Sequence, residues 1–117
     1  MNLSDIQSLL KAEILHGETS LNIDIKEVMV SDLMSDVLAY CCSGALLVTS
    51  LMNAQSIRTA EVADLCAIVY ARGKKPAKET IDLAKQRDIP LLSTSLPLYD
   101  ACGILYEAGL PGIHKQT

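Results

Sequence analysis

Three short apolar runs, ALLVTS at 45–50, CAIVYARG at 66–73 and IPLLSTS at 89–95, alternate with segments of helical composition. Continuous rather than alternating hydrophobicity over so few residues reads as a strand buried on both faces. Strands alternating with helices through short connections imply consecutive right-handed βαβ units. The expected fold is therefore an α/β layered sandwich, with a mainly parallel sheet built from consecutive βα units. It forms a single domain over 1–117, with a regular core at about 45–109 and a loosely held tail at 110–117.

The helical segments carry their own start and stop signals. NAQSIRTAEVADL occupies 53–65, and Pro76 suits the first turn of the next helix, which runs to about Asp88. Pro97 opens the last helix, where Leu98, Ala101, Cys102 and Leu105 form an i, i+3, i+4, i+7 stripe. The N-terminal third is less regular. Leu3, Ile6 and Leu10 mark a short amphipathic helix capped by Ser4 or Asn2. AEILHG at 12–17 and KEVMV at 26–30 read as short strands added to the sheet edge, with a polar turn at 18–24 between them. A helix is expected from about Leu33, capped by Ser31 or Asp32, with Leu33, Val37, Tyr40 and Cys41 on one face. It stops at Ser43-Gly44.

Composition narrows the function classes. With 117 residues, 50% hydrophobic and a net charge of -4, the chain buries a core rather than staying disordered. A pI near 5.0 disfavours a phosphate backbone, so no nucleic-acid partner is expected. No apolar run approaches the roughly 18 residues of a membrane span, and MNLSDIQSLLKAE does not read as a signal peptide. A cytoplasmic protein without a membrane partner is expected. The mean hydropathy of +0.26 leaves an apolar surplus for an interface, and a homodimer is expected.

Cys41, Cys42, Cys66 and Cys102 include no CxxC pair, which argues against a metal site. They read as small buried hydrophobes, with Cys41 and Cys42 kept as candidate redox-sensing thiols. No metal and no cofactor is expected.

In open α/β sheets, ligands bind beyond the carboxyl ends of the strands. That rule selects Thr49, Ser50 and Asn53 after the first run, Arg72, Gly73, Lys74 and Lys75 after the second, and Ser93, Thr94 and Ser95 after the third. Arg58, a turn into its helix, adds a fourth cation. Hydroxyls, cations and helix N-termini on one edge would suit a small anionic ligand. The plainer reading makes Asn53 and Ser95 helix caps and RGKKP a solvated turn. Asp32 and Asp36, at i, i+4 with Ser35 between, form a second candidate cluster for acid/base work or a hard metal; the plainer reading is a cap and a first-turn acid. Neither a P-loop nor a G-x-G-x-x-G is present, since Ile68 stands five before Gly73. His16 and His114 are the only histidines, and neither sits in a hydrolase motif.

Taken together, LMSDVLA at 33–39, IRTAE at 57–61 and RGKKP at 72–76 resemble DRTGG domains, which are similar to the N-terminal domain of HPr kinase/phosphorylase. The likeness is to small stand-alone versions encoded near iron-only hydrogenases, and it covers roughly 3–110. The DRTGG string itself is missing, and no role tied to it transfers to Ile57-Arg58-Thr59-Ala60-Glu61. The resemblance implies a regulatory, dimerising unit without the P-loop domain that carries kinase activity.

Three functions follow in order. The first is a non-catalytic regulatory homodimer sensing a small anionic metabolite or nucleotide at the strand ends. The second is an adaptor for a regulatory or redox-enzyme partner, with Met29, Met34 and Met52 as an adaptable contact surface. The third is an enzyme using Asp32 and Asp36 or a cysteine.

Overall fold

The structure, a computed structural model, describes residues 1–73 and 75–113. Its elements are α1 (Leu3–Leu10), β1 (Glu13–His16), β2 (Val28–Val30), α2 (Met34–Tyr40), β3 (Leu46–Thr49), α3 (Ala54–Val62), β4 (Ala67–Tyr70), α4 (Lys78–Arg87), β5 (Leu91–Ser93) and α5 (Leu98–Glu107). The sheet order is β1-β5-β4-β3-β2. Strands β2 to β5 are parallel, and β1 runs antiparallel on β5. The two N-terminal strands thus close opposite edges of the sheet.

Period-2 geometry explains why the central runs are continuously apolar. Leu46, Val48, Ala67, Val69 and Leu92 point into a core shared with α1 and α5. Leu47, Ile68, Tyr70 and Leu91 point the other way, into a core shared with α2, α3 and α4. Every residue of β3, β4 and β5 is buried. The fold is the expected α/β sandwich, with the sheet as its middle layer.

Local chemistry sets the helix ends. Asn2 caps α1: its side chain accepts from the Asp5 N–H at 2.9 Å, while the Asp5 carboxylate accepts from the Asn2 N–H at 2.9 Å. Asn53 caps α3, and α4 begins at Lys78, so Pro76 stands just before the Ala77 cap rather than inside the helix.

Helix α2 departs most from expectation. Leu33 is its N-cap position, and neither Ser31 nor Asp32 caps it. The Ser31 hydroxyl instead accepts from the Leu33 N–H at 3.0 Å. The buried face is Met34 and Val37, while Leu33 and Tyr40 are exposed. The helix ends at Tyr40, so Cys41 is its C-cap with extended backbone, and the Cys42 carbonyl accepts from the Ala45 N–H at 3.2 Å in the turn beyond. The methionines expected on a contact surface face inward: Met34 is buried, and Met29 and Met52 pack against the α2–α4 core.

The loose tail expected from 110 is held as far as it is described. Leu110 is buried, the Val28 N–H donates to the Pro111 carbonyl at 3.0 Å, and Val28 bridges Gly112. This segment covers the free edge of β2, a common way to protect an unpaired strand. Residues 114–117, including His114, lie outside the described residues.

Candidate functional site

Four parallel strands end on one edge, so the segments after β2, β3, β4 and β5 share it. In the β2–β3 register Val30 pairs with Val48, which sets Asp32 level with Ser50. The contact follows. The Asp32 carboxylate accepts from the Thr49 hydroxyl at 2.8 Å, the Ser50 N–H at 2.8 Å and the Ser50 hydroxyl at 2.6 Å. Thr49 is fully buried and its oxygen also accepts from the Leu51 N–H at 3.1 Å, tying the carboxylate to the turn that leads into α3.

Burial works against the Asp32 charge, but the bonds from Ser50 and Thr49 and the field of Arg72 outweigh it and hold the carboxyl below its ordinary 3.8. Arg72 is exposed and sits in the left-handed region at φ 77°, an unusual place for a residue with a side chain. Its N–H donates to the Leu96 carbonyl at 2.9 Å, and that of Gly73 to the Thr94 carbonyl at 2.6 Å. The β4 loop is thereby pinned to the β5 loop.

The candidate anion set divides in two along this edge. Asp32, Thr49, Ser50 and Arg72 form one group at the β2–β3–β4 side. Lys75 belongs to the other side, where its ammonium pairs with Glu13 of β1 at 3.3 Å. There Ser93 is buried, Ser95 is exposed next to Gly73, and the buried Thr94 hydroxyl donates to the Leu10 carbonyl at 2.7 Å, holding the end of α1. Asn53 is used as a cap, with its side chain accepting from the Ser56 N–H at 3.3 Å. Arg58 is exposed on α3. Lys74 lies outside the described residues.

The i, i+4 pairing of Asp32 with Asp36 does not form a cluster. Asp32 precedes the helix and is engaged by β3, whereas Asp36 and Ser35 are exposed in the first turn of α2. What the sequence reading missed is that Asp32 belongs with Thr49 and Ser50. The signal was the apolar KEVMV strand just before it, which only becomes informative once its neighbour and register are known.

Ser56 and Tyr70, which no sequence motif marks, form a buried polar pair. The Ser56 hydroxyl donates to the Asn53 carbonyl at 2.7 Å, which leaves the Tyr70 hydroxyl as donor in the Ser56–Tyr70 bond. Burial raises the Tyr70 phenol above its ordinary range despite that bond. The pair anchors the start of α3 to β4.

Among the described residues, no group of three or more His, Cys, Asp or Glu could hold a metal ion. The four cysteines are half-buried thiols. Burial pushes the Cys66 thiol up to about 12 and raises Cys102 as well. Only the thiolate is nucleophilic, so Cys66 is expected to stay unmodified by iodoacetamide at pH 8 in the folded protein. Mass spectrometry of the labelled, digested chain checks this, and alkylation of Cys66 at the rate of a denatured control would contradict the burial seen here.

No helix of the described residues is long and apolar enough to cross a membrane. A family model described as the DRTGG domain matches residues 5–108. Among solved structures, the chain is similar to the CBS and DRTGG domains of the regulatory region of Clostridium perfringens pyrophosphatase, complexed with its activator diadenosine tetraphosphate. The TM-score is 0.75 at 20% identity, covering 89% of this chain and 45% of that one. The chain thus spans under half of that neighbour, and at this identity the likeness speaks to the fold. No curated protein matches the sequence. With the family model matching nearly the whole of the sheet and its helices, this chain belongs to the DRTGG domain family.

Proposed function

We propose that the protein is a non-catalytic regulatory module, a cytoplasmic homodimer that senses a small anionic metabolite or nucleotide at the carboxyl edge of its parallel strands. The observation that carries this reading is the exposed Arg72 guanidinium, held on a left-handed backbone beside the Asp32–Thr49–Ser50 cluster. Arg72 is the ligand's cation, and Ser50, with a hydroxyl and an N–H already bonded to an oxyanion, supplies donors of the right kind. A phosphate or carboxylate competes with Asp32 for those donors, so binding reshapes the β2–α2 connection. That the fold neighbour is part of a regulatory region bound to a nucleotide activator is consistent with this use of the fold.

A homodimer is supported by exposed apolar side chains at the β2 side of the sheet: Val30, Leu33, Leu38 and Tyr40. An enzyme built on Asp32 and Asp36 has less support, because a carboxyl held below its ordinary range is a poor proton donor at neutral pH.

Thermal unfolding against a panel of nucleotides, inorganic phosphate and phosphorylated metabolites tests the reading. A ligand at about 100 times its Kd adds about 2.7 kcal/mol, and the upward shift in Tm should disappear in Arg72→Ala. A shift that survives in Arg72→Ala would move the ligand elsewhere. A flat panel would leave the protein-interaction reading in its place.

A further inference from the structure

We propose that the outward face of α5 is a docking surface for an arginine-bearing apolar segment of a partner protein. Tyr99 and Tyr106 stand at i and i+7 on this helix and are 87% and 75% exposed, the largest values among the exposed tyrosines. Between them, at i+4, lies Gly103, with Cys102 beside it. These side chains share one face of the helix. The helix already buries Ala101 and Leu105 on its inner side, so its apolar surface runs well beyond what the core needs.

Gly103 is the second observation. A glycine in the middle of an exposed helix is destabilising relative to alanine. A Cβ built at Gly103 meets nothing within 4 Å, so no contact inside the chain requires its absence. A missing side chain between two projecting tyrosines lets another backbone approach closely. The depression is about 630 Å³. Through Leu96 and Ile104 it continues into a smaller one, about 190 Å³, beside Leu9 and Leu10 at the end of α1.

Charge identifies the occupant. Among the described residues, Asp100 and Glu107 are the charged side chains that line the larger groove, and Lys11 lines the smaller one. A second copy packed face to face about a two-fold axis would set Asp100 and Glu107 against the same two carboxylates. A guanidinium fits better, since it stacks on a phenol ring and binds a carboxylate with two parallel N–H bonds. An amphipathic helix laid in the groove presents anchors at i, i+3, i+4 and i+7, a span that matches the separation of Tyr99 and Tyr106. The surface belongs to the α1/α5 layer and does not depend on the ligand reading at the β3 end.

Panning a display library of helical 12-residue peptides against the full chain tests the proposal. Enriched peptides should be cationic, with arginines about two turns apart and small or apolar residues between. For a synthesised winner, fluorescence anisotropy should show at least a tenfold weaker Kd with the double variant Tyr99→Ser/Tyr106→Ser. Asp100→Asn/Glu107→Gln should do the same, and Arg72→Ala should leave binding unchanged. Gly103→Ala should raise Tm and yet weaken binding, a split that a purely structural glycine would not produce. No enrichment, winners without positive charge, or affinities indifferent to these α5 variants would overturn the proposal. So would sedimentation showing a dimer that Tyr99→Ser/Tyr106→Ser turns into a monomer, because the face would then belong to a second copy.

Discussion

Replacing Asp32 with alanine is expected to destabilise the fold by about 2–3 kcal/mol, more than any other exposed-acid substitution in the chain. Three hydrogen bonds to a charged acceptor are lost, but they do not weigh equally. Water can replace the carboxylate at the exposed Ser50 groups. It does so poorly at Thr49, which is fully buried: its oxygen still accepts from the Leu51 N–H, but its O–H is left without an acceptor. Asp32→Asn retains one carbonyl acceptor and should cost only about 1 kcal/mol. Asp36→Ala removes a first-turn acid from a short helix and should cost no more than about 0.5 kcal/mol. Urea unfolding of the three variants checks this ordering.

The effect has a defined pH window. The folded Asp32 carboxyl titrates below its ordinary 3.8, so it contributes stability that is fully present above that value. The contribution is lost as pH falls through the lower, folded value. The gap between wild type and Asp32→Ala should therefore be constant from neutrality to about pH 5 and close in stronger acid. A gap that widened on acidification would mean that the hydrogen bonds favour the protonated carboxyl, against the geometry.

The second large effect is expected at Gly17. Gly17→Ala should cost about 3 kcal/mol, equivalent to a fall in Tm of about 12 °C. Gly17 closes β1 at φ 109°, where a Cβ would stand 2.8 Å from the Pro90 Cβ and 3.0 Å from its Cα. A proline ring just ahead of a buried strand has little freedom to retreat. Gly44 separates the two contributions, because its φ is 84° but a Cβ there meets nothing within 4 Å. Gly44→Ala should show the backbone cost alone, about 1 kcal/mol. Equal losses at the two sites would show that the Pro90 contact is relieved by movement of β1. Since, among the described residues, β1 pairs with β5 alone, such movement would appear as faster amide exchange at Glu13–His16.

Much of the fold could be read because buried strands and amphipathic helices leave local periodicities. ALLVTS, CAIVYARG and IPLLSTS became β3, β4 and β5, and the helices between them begin within two residues of their expected starts. Capping at Asn2 and Asn53 is equally local, since donor and acceptor lie three residues apart. Helix α2 was harder. Ser31 and Asp32 both look like caps, and only the competing bonds to Leu33 and Ser50 explain why the helix starts later.

The sequence by itself determined the class of fold, the parallel direction of the central strands and their burial, because these rest on patterns within a dozen residues. The tertiary structure alone decided which strand ends meet. It set Asp32 against Thr49 and Ser50 rather than beside Asp36, and it paired Lys75 with Glu13 of β1. It also left Tyr99 and Tyr106 in solvent on a helix whose inner face was already satisfied. Those outcomes depend on strand order and register between segments far apart in the chain. Local propensity carries no information about either, because the contacts form only when the sheet closes.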